Sequence, residues 1–252
     1  MIDSHCHLEQ KDYNNDLDKV IELCKKEGLK ALVTVCADPN DFERSLEIVD
    51  KYKNYVFLCA AIHPQDVKKF TQKKIDAYFD LLKENKKKLV AVGETGGDYF
   101  WIKEESWREK QKELFIQHID LSKELKLPLV VHCRDAWEDV LKILEQEDVK
   151  KALLHLWGNK ELIPRVVEDG YSITIGPLIA RSKKHKEIVK NMPIESILLE
   201  TDSPWFGQNG ERGVSTNIRI PCEYISGIKK MMFEDTWKKC CDNAVKFFNL
   251  KL

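Results

Sequence analysis

The stretch Gly28-Leu29-Lys30-Ala31-Leu32-Val33-Thr34-Val35-Cys36 sets the architecture. Gly28 reads as a helix stop, and the run after it is apolar without alternation. A strand with one wet face alternates, whereas a continuous apolar run belongs to a parallel strand covered on both faces. Similar runs occupy 2–7, 56–63, 89–94, 129–132, 152–155, 171–175 and 197–202. Helix-like stretches separate them, at about 15–28, 41–53, 71–86, 104–126, 135–148, 159–169 and 182–192, and one last helix fills about 222–248. Eight strand–helix units in 252 residues predict one α/β domain over 1–252, a (β/α)8 TIM barrel, which typically takes about 250 residues.

The ends of these runs carry the chemistry. His5 and His7 stand two apart in Ile2-Asp3-Ser4-His5-Cys6-His7, so on a strand both imidazoles face one spot. Glu94, His132, His155 and Asp202 each close another run. A TIM barrel keeps its active site at the C-terminal ends of its strands, so all six converge on one mouth. Four imidazoles and two carboxylates suit two divalent ions, Mg, Mn or Zn. His5, His7, Glu94 and Asp202 are expected to form one site and Glu94, His132 and His155 the other, with Glu94 spanning both. Asp202 is in addition the candidate base for the attacking water. His63 also ends a strand, in Ala61-Ile62-His63-Pro64, and is a candidate substrate contact. His118 and His185 fall inside helix-like stretches and read as structural or exposed.

Bulk properties exclude several classes. The chain is 43% hydrophobic and 33% charged, with a formal net charge of −1. It is no polycation that coats nucleic acid, so an anionic substrate has to be gripped locally. No apolar run approaches the ~20 residues of a membrane span, and the polar first residues do not resemble a secretory signal. The 8 cysteines include no Cys-x-x-Cys pair. Reduced thiols and a cytoplasmic or nuclear location are expected, with no protein partner evident and a monomeric chain.

Basic and aromatic residues lie on the same loops. Arg134 follows His132 at a strand end and is the candidate for a scissile phosphate. Lys183 and Lys184, in Arg181-Ser182-Lys183-Lys184-His185-Lys186, open a helix, where cations oppose the macrodipole; this favours a phosphate contact. Trp205 and Trp101 are candidates to stack on bases. The connection over 203–221, rich in glycine and polar residues, is long enough to suggest function.

The motifs resemble those of the TatD-type metal-dependent deoxyribonucleases, nearly end to end. Asp3-Ser4-His5-Cys6-His7-Leu8 is similar to the family opening, Gly93-Glu94-Thr95-Gly96 with Asp98-Tyr99 to its fourth-strand motif, and His132-Cys133-Arg134-Asp135-Ala136 to its fifth. Glu200-Thr201-Asp202-Ser203-Pro204-Trp205 resembles its most distinctive signature, and Asn243-Ala244 with Phe247-Phe248 its closing helix. The chain departs at Gly97, where leucine is usual, and at Gln65, which replaces a second histidine after His63-Pro64. The resemblance implies a two-metal phosphodiesterase cutting DNA, with RNA as a second candidate, often from a 3′ end. It implies the same six ligands and a phosphate contact for His63. A small-molecule amidohydrolase or esterase, or an enzyme cleaving an aminoacyl ester on tRNA, is the alternative on such a site. A non-catalytic binding protein is the other, although a degenerate scaffold should have lost ligands.

Overall fold

The computed structural model describes residues 1–207 and 210–252. Eight strands stand in chain order in one parallel sheet: β1 (Ile2–Cys6), β2 (Ala31–Cys36), β3 (Val56–Ala60), β4 (Leu89–Asp98), β5 (Leu129–Arg134), β6 (Ala152–His155), β7 (Ser172–Ile175) and β8 (Ile197–Leu199). The seam between β8 and β1 is bridged by Asp202 N donating to the His5 carbonyl at 2.9 Å and His7 N to the Ser203 carbonyl at 2.8 Å. Ser4 Oγ adds a bond to the Leu199 carbonyl at 2.6 Å. The (β/α)8 barrel read from the sequence is the observed fold. Every residue of β1 and β2 is buried, as strands covered on both faces must be.

The outer layer is α1 (Leu17–Lys26), α2 (Phe42–Lys51), α3 (Gln72–Glu84), α4 (Glu105–Leu125), α5 (Trp137–Gln146), α6 (Ile163–Glu168) and α7 (Lys183–Asn191), followed by α8 (Arg219–Lys229) and α9 (Phe233–Phe248). In α4 the buried positions are Gln111, Leu114, Phe115, His118, Ile119, Leu121, Ser122 and Leu125, and most recur at three and four residues, giving one stripe against the sheet. The single helix expected over 222–248 is in fact two. Lys230 takes a left-handed conformation (φ 54°), and Met231 N bonds back to the Ser226 carbonyl at 3.0 Å, ending α8.

β4 runs four residues past the expected Glu94, with consequences for the site. Its pairing with β5 slips between Val92 and Thr95, where an irregularity turns Glu94 toward the barrel mouth. Gly93 sits there at φ +153°, and a Cβ on it would lie 2.4 Å from the Val130 carbonyl oxygen, so glycine is required. At Gly97 a Cβ would stand 2.8 Å from that of Ala136, so the family's leucine there requires α5's start to shift outward. The connection after β8 is tied down on its described part: Gly213 N donates to the Pro204 carbonyl, Tyr13 Oη to the Gly213 carbonyl, and Arg212 pairs with Asp16 at 2.7 Å. Positions 208 and 209 of that connection lie outside the described residues.

Candidate metal centre

β1 ends in His5 and the residue after it, Cys6, with His7 just beyond; β4 carries Glu94, and Asp202 follows β8. His5 Nε2 and His7 Nε2 lie 3.2 Å apart. Glu94 Oε2 is 3.3 Å from the first and 3.8 Å from the second, and Asp202 Oδ1 is 3.8 and 3.3 Å from them. Four donors held tetrahedrally at about 2.0–2.2 Å from one cation stand about 3.3–3.6 Å apart, so this nest has the right size.

The other Glu94 oxygen serves a second nest. Oε1 is 2.6 Å from His132 Nδ1, 3.4 Å from His63 Nε2 and 3.5 Å from His155 Nε2. All six expected ligands are therefore brought together, and His63 joins them. His155 stands between the nests: its ring stacks on His5 at 3.8 Å, and its ligand nitrogen also groups with His5 and Asp202. His63 differs from the others in its proton. Gln65 N–H donates to His63 Nδ1 at 3.2 Å, so the ring proton resides on Nε2, the atom that faces the site. His63 is thus arranged as a hydrogen-bond donor rather than a ligand.

Carboxylates behind His132 and His155 fix the tautomers of those two rings. His132 Nε2 donates to Asp98 Oδ2 at 3.0 Å, His155 Nδ1 to Glu200 Oε2 at 2.8 Å, and His7 Nδ1 lies 3.3 Å from Glu9 Oε1. The two hydrogen bonds turn the other nitrogen of His132 and His155 inward with a raised basicity, the usual second layer of a metal site. Asp3 ties β1 to the end of β8, accepting from Thr201 N at 3.0 Å and Thr201 Oγ1 at 2.6 Å. Sequence reading passed over Asp3, Glu9, Asp98 and Glu200 as site residues. A signal was present, since Glu9 follows His7, and Glu200 precedes Asp202, by the same step of two.

The charge balance favours bound cations. Glu9, Glu94, Asp98, Glu200 and Asp202 are all buried, as is Asp3, whose carboxyl is raised by burial to about 7, and among the described residues the buried polar set includes no lysine or arginine. Burying such carboxylates without compensating charge is costly. Burial pushes the Glu94 carboxyl up, but the imidazoles of His155, His63 and His5 outweigh it and hold it well below the usual range. Burial likewise opposes a charged His155, yet Glu200 and Glu94 raise it to about 10. The cluster attracts positive charge strongly, and its donor set fits divalent metal.

Two cavities, of about 580 and 640 Å3, open from this cluster and share His132, Arg134, His155, Asp202 and Phe206. The larger reaches His63, Trp101 and Trp205, along with Asp38, Asp41 and Asp66. The smaller reaches Lys184 and His185 at the start of α7. Arg134 is exposed and lies over the Phe100 ring at 3.7 Å. Trp205 stands edge-on to His7 at 4.7 Å and is 48% exposed; Trp101 is 60% exposed. Lys183 is exposed and lines neither cavity among the described residues. His118 is structural: Nε2 accepts from Ile62 N at 3.1 Å and Nδ1 donates to the Leu114 carbonyl at 2.8 Å. His185, in contrast, is buried against the smaller cavity.

A parallel eight-stranded barrel with imidazoles and carboxylates gathered at its C-terminal mouth is the architecture of the metal-dependent hydrolases. The sequence model described as TatD related DNase matches residues 2–249. The chain is 34% identical over 258 residues to Deoxyribonuclease TATDN3 of Homo sapiens, covering 98% of this chain and 94% of that protein. It is 32% identical to the uncharacterized metal-dependent hydrolase YabD of Bacillus subtilis (strain 168), covering 99% of each. The fold matches the crystal structure of a hydrolase TatD family protein from Entamoeba histolytica with a TM-score of 0.90 and 22% identity, over 100% of this chain and 98% of that one. The chain belongs to the TatD-related DNase family and is a metal-dependent hydrolase acting on ester bonds. Among the described residues no helix is long and apolar enough to cross a membrane.

Proposed function

We propose that this chain hydrolyses phosphodiester bonds of DNA, with RNA as a second substrate, and shortens the strand from its 3′ end. The observation that carries the reading is the division of Glu94, whose Oε2 faces His5, His7 and Asp202 while Oε1 faces His132, His155 and His63. The ligand sets are His5, His7, Glu94 and Asp202 for one divalent ion and Glu94, His132 and His155 for a second. Two such ions supply Lewis-acid charge to a phosphoryl oxygen and make water acidic enough to attack near neutral pH.

The chain's own residues do the rest. Asp202 is positioned to take the proton of the attacking water, since its carboxylate borders both the first nest and both cavities. His63 presents Nε2–H and Arg134 a guanidinium to the phosphate, where negative charge grows as the bond to the leaving oxygen breaks. Trp205 and Trp101 offer exposed faces for stacking without reading sequence. A deoxyribonuclease relative at 34% identity supports DNA as substrate; the 3′ polarity rests on likeness to the family alone. The 8 unpaired, buried cysteines support a reducing, cytoplasmic setting.

The test is a metal-resolved nuclease assay. Protein stripped and reloaded with Mg, Mn or Zn is given end-labelled single- and double-stranded DNA, with Glu94→Ala as control. Stepwise shortening from the 3′ end that vanishes in the variant is the expected result. Two bound metals per chain without cleavage of any nucleic acid would overturn the reading.

A further inference from the structure

His185 opens the second half of the first turn of α7 and is 4% exposed. Its Nε2 is buried without a hydrogen-bond partner, and its ring lines the smaller cavity together with His155, Asp202 and Arg134. Ser182 Oγ accepts the His185 backbone N–H at 3.3 Å and lies 2.7 Å from His185 Nδ1. With the hydroxyl donating to Nδ1, the imidazole proton stands on Nε2, and this is the tautomer the subsite uses. A buried donor without a partner costs free energy that an arriving acceptor recovers.

Positive potential surrounds this donor. The N-terminal turn of α7, a helix of 9 residues, borders the cavity through Lys184 and His185 and brings the positive end of its dipole there. Lys184 Nζ reaches across the cavity to Gly158, to within 3.3 Å of where a Cβ on that glycine would stand. The cavity's about 580 Å3 lies in the range of ordinary ligand pockets, which run from about 300 to 1,000 Å3.

We propose that His185 Nε2–H, Lys184 and the first turn of α7 form a second phosphate subsite, which holds the phosphate adjacent to the scissile one on the same strand. This rests on the phosphodiesterase reading of the neighbouring cluster. Burial and the adjacent Lys184 push His185 down to about 4, so near neutral pH it is an uncharged donor and Lys184 supplies the charge. The subsite gives the enzyme a grip on a polymer that a single phosphodiester cannot use.

Two measurements test it. The first is a histidine-labelled 1H–15N spectrum of the Mg-loaded protein. His185 should appear as the Nε2–H tautomer, and its resonance should move on addition of inorganic phosphate and stay still in Lys184→Ala. A His185 resonance that phosphate leaves unmoved in the wild type would overturn the subsite. The second compares an oligodeoxynucleotide with bis(p-nitrophenyl) phosphate, which has one phosphate only. In His185→Phe the ratio of kcat/KM for the oligonucleotide to that for the small diester should fall about tenfold, through KM, and His185→Gln should restore most of it. An unchanged ratio in His185→Phe, with both substrates cleaved, sinks the subsite while the reaction stands. If the wild type cleaves neither substrate, the phosphodiesterase reading fails and the adjacent-phosphate role of this subsite falls with it.

Discussion

His155 and Glu200 are joined by a 2.8 Å hydrogen bond between Nδ1 and Oε2, and Glu200 is fully buried behind the ring. The opposite nitrogen of His155 lies 3.5 Å from Glu94. Glu200 thereby orients an imidazole on another strand, reaching from the end of β8 past β7 to β6. The same relation holds for Asp98 behind His132. Both carboxylates raise the electron density of a nitrogen that faces the site.

Replacing Glu200 by glutamine keeps an acceptor for His155 Nδ1 but removes the charge. Metal affinity, read by calorimetry on stripped protein, should fall about 10-fold, and in Glu200→Ala it should approach ~100-fold. Unfolding curves of the metal-free variants control for lost structure. Wild-type affinity in both would show that the carboxylate is only filling space.

Glu94 faces five imidazoles with its two oxygens, so its loss should remove more than one binding interaction. Glu94→Ala should lower turnover by on the order of 10³-fold or more and reduce the metal bound per chain. Elemental analysis beside the rate measurement checks both. Full metal content with wild-type turnover would contradict the bridging position.

The barrel was legible because parallel strands covered on both faces leave continuous apolar runs such as 31–36, and because ligand-type residues closed those runs. The helix boundary at Lys230 was not, since a lysine in a left-handed conformation has no composition signature. Nor was the extension of β4 to Asp98: Gly93, Gly96 and Gly97 look like a turn, yet each is there because a neighbouring chain approaches too closely for a side chain. Asp98 therefore fell outside the apolar run 89–94, and nothing in the run marked it as the support of His132. His185 was hidden for another reason. Helical periodicity shows which face of α7 is inward, but not that the inward face ends at a cavity instead of the core.

His118 gives a pH signature separate from the metal cluster. Burial pushes it down from 6.5 to about 4, so the native ring stays neutral where the unfolded chain's histidine takes up a proton. Stability should fall as pH drops from about 6.5 to about 4, by up to roughly 3 kcal/mol from this group, and level off below. Denaturant unfolding of wild type and His118→Gln, whose side chain can still accept from Ile62 N–H, should differ in slope across that window. Parallel curves would mean that His118 is not the group responsible.

Asp202 takes a left-handed conformation with φ 54°, a region asparagine tolerates better than most residues. Asp202→Asn therefore removes the charge and the proton acceptor without straining the backbone. As the base of the attacking water, it should lose about 10²–10⁴-fold in kcat with a smaller change in DNA affinity. Equal losses in kcat and in binding, measured by single-turnover kinetics and anisotropy, would leave Asp202 as a ligand only.

Arg134 tests whether planarity or mere charge is needed at the mouth. Its guanidinium lies 3.7 Å over Phe100 and within 6.0 Å of Trp101, and it borders both cavities. Stacking holds the fork in place before substrate arrives, so less freedom is lost when it binds two phosphate oxygens. Arg134→Ala should weaken DNA binding about tenfold and lower the slope of log affinity against log salt by about one. Arg134→Lys should restore the salt slope, because the charge returns, but not the affinity, because an ammonium neither stacks nor forks. If lysine restored both, the guanidinium would be acting as a point charge, and the Phe100 contact would be a matter of loop packing.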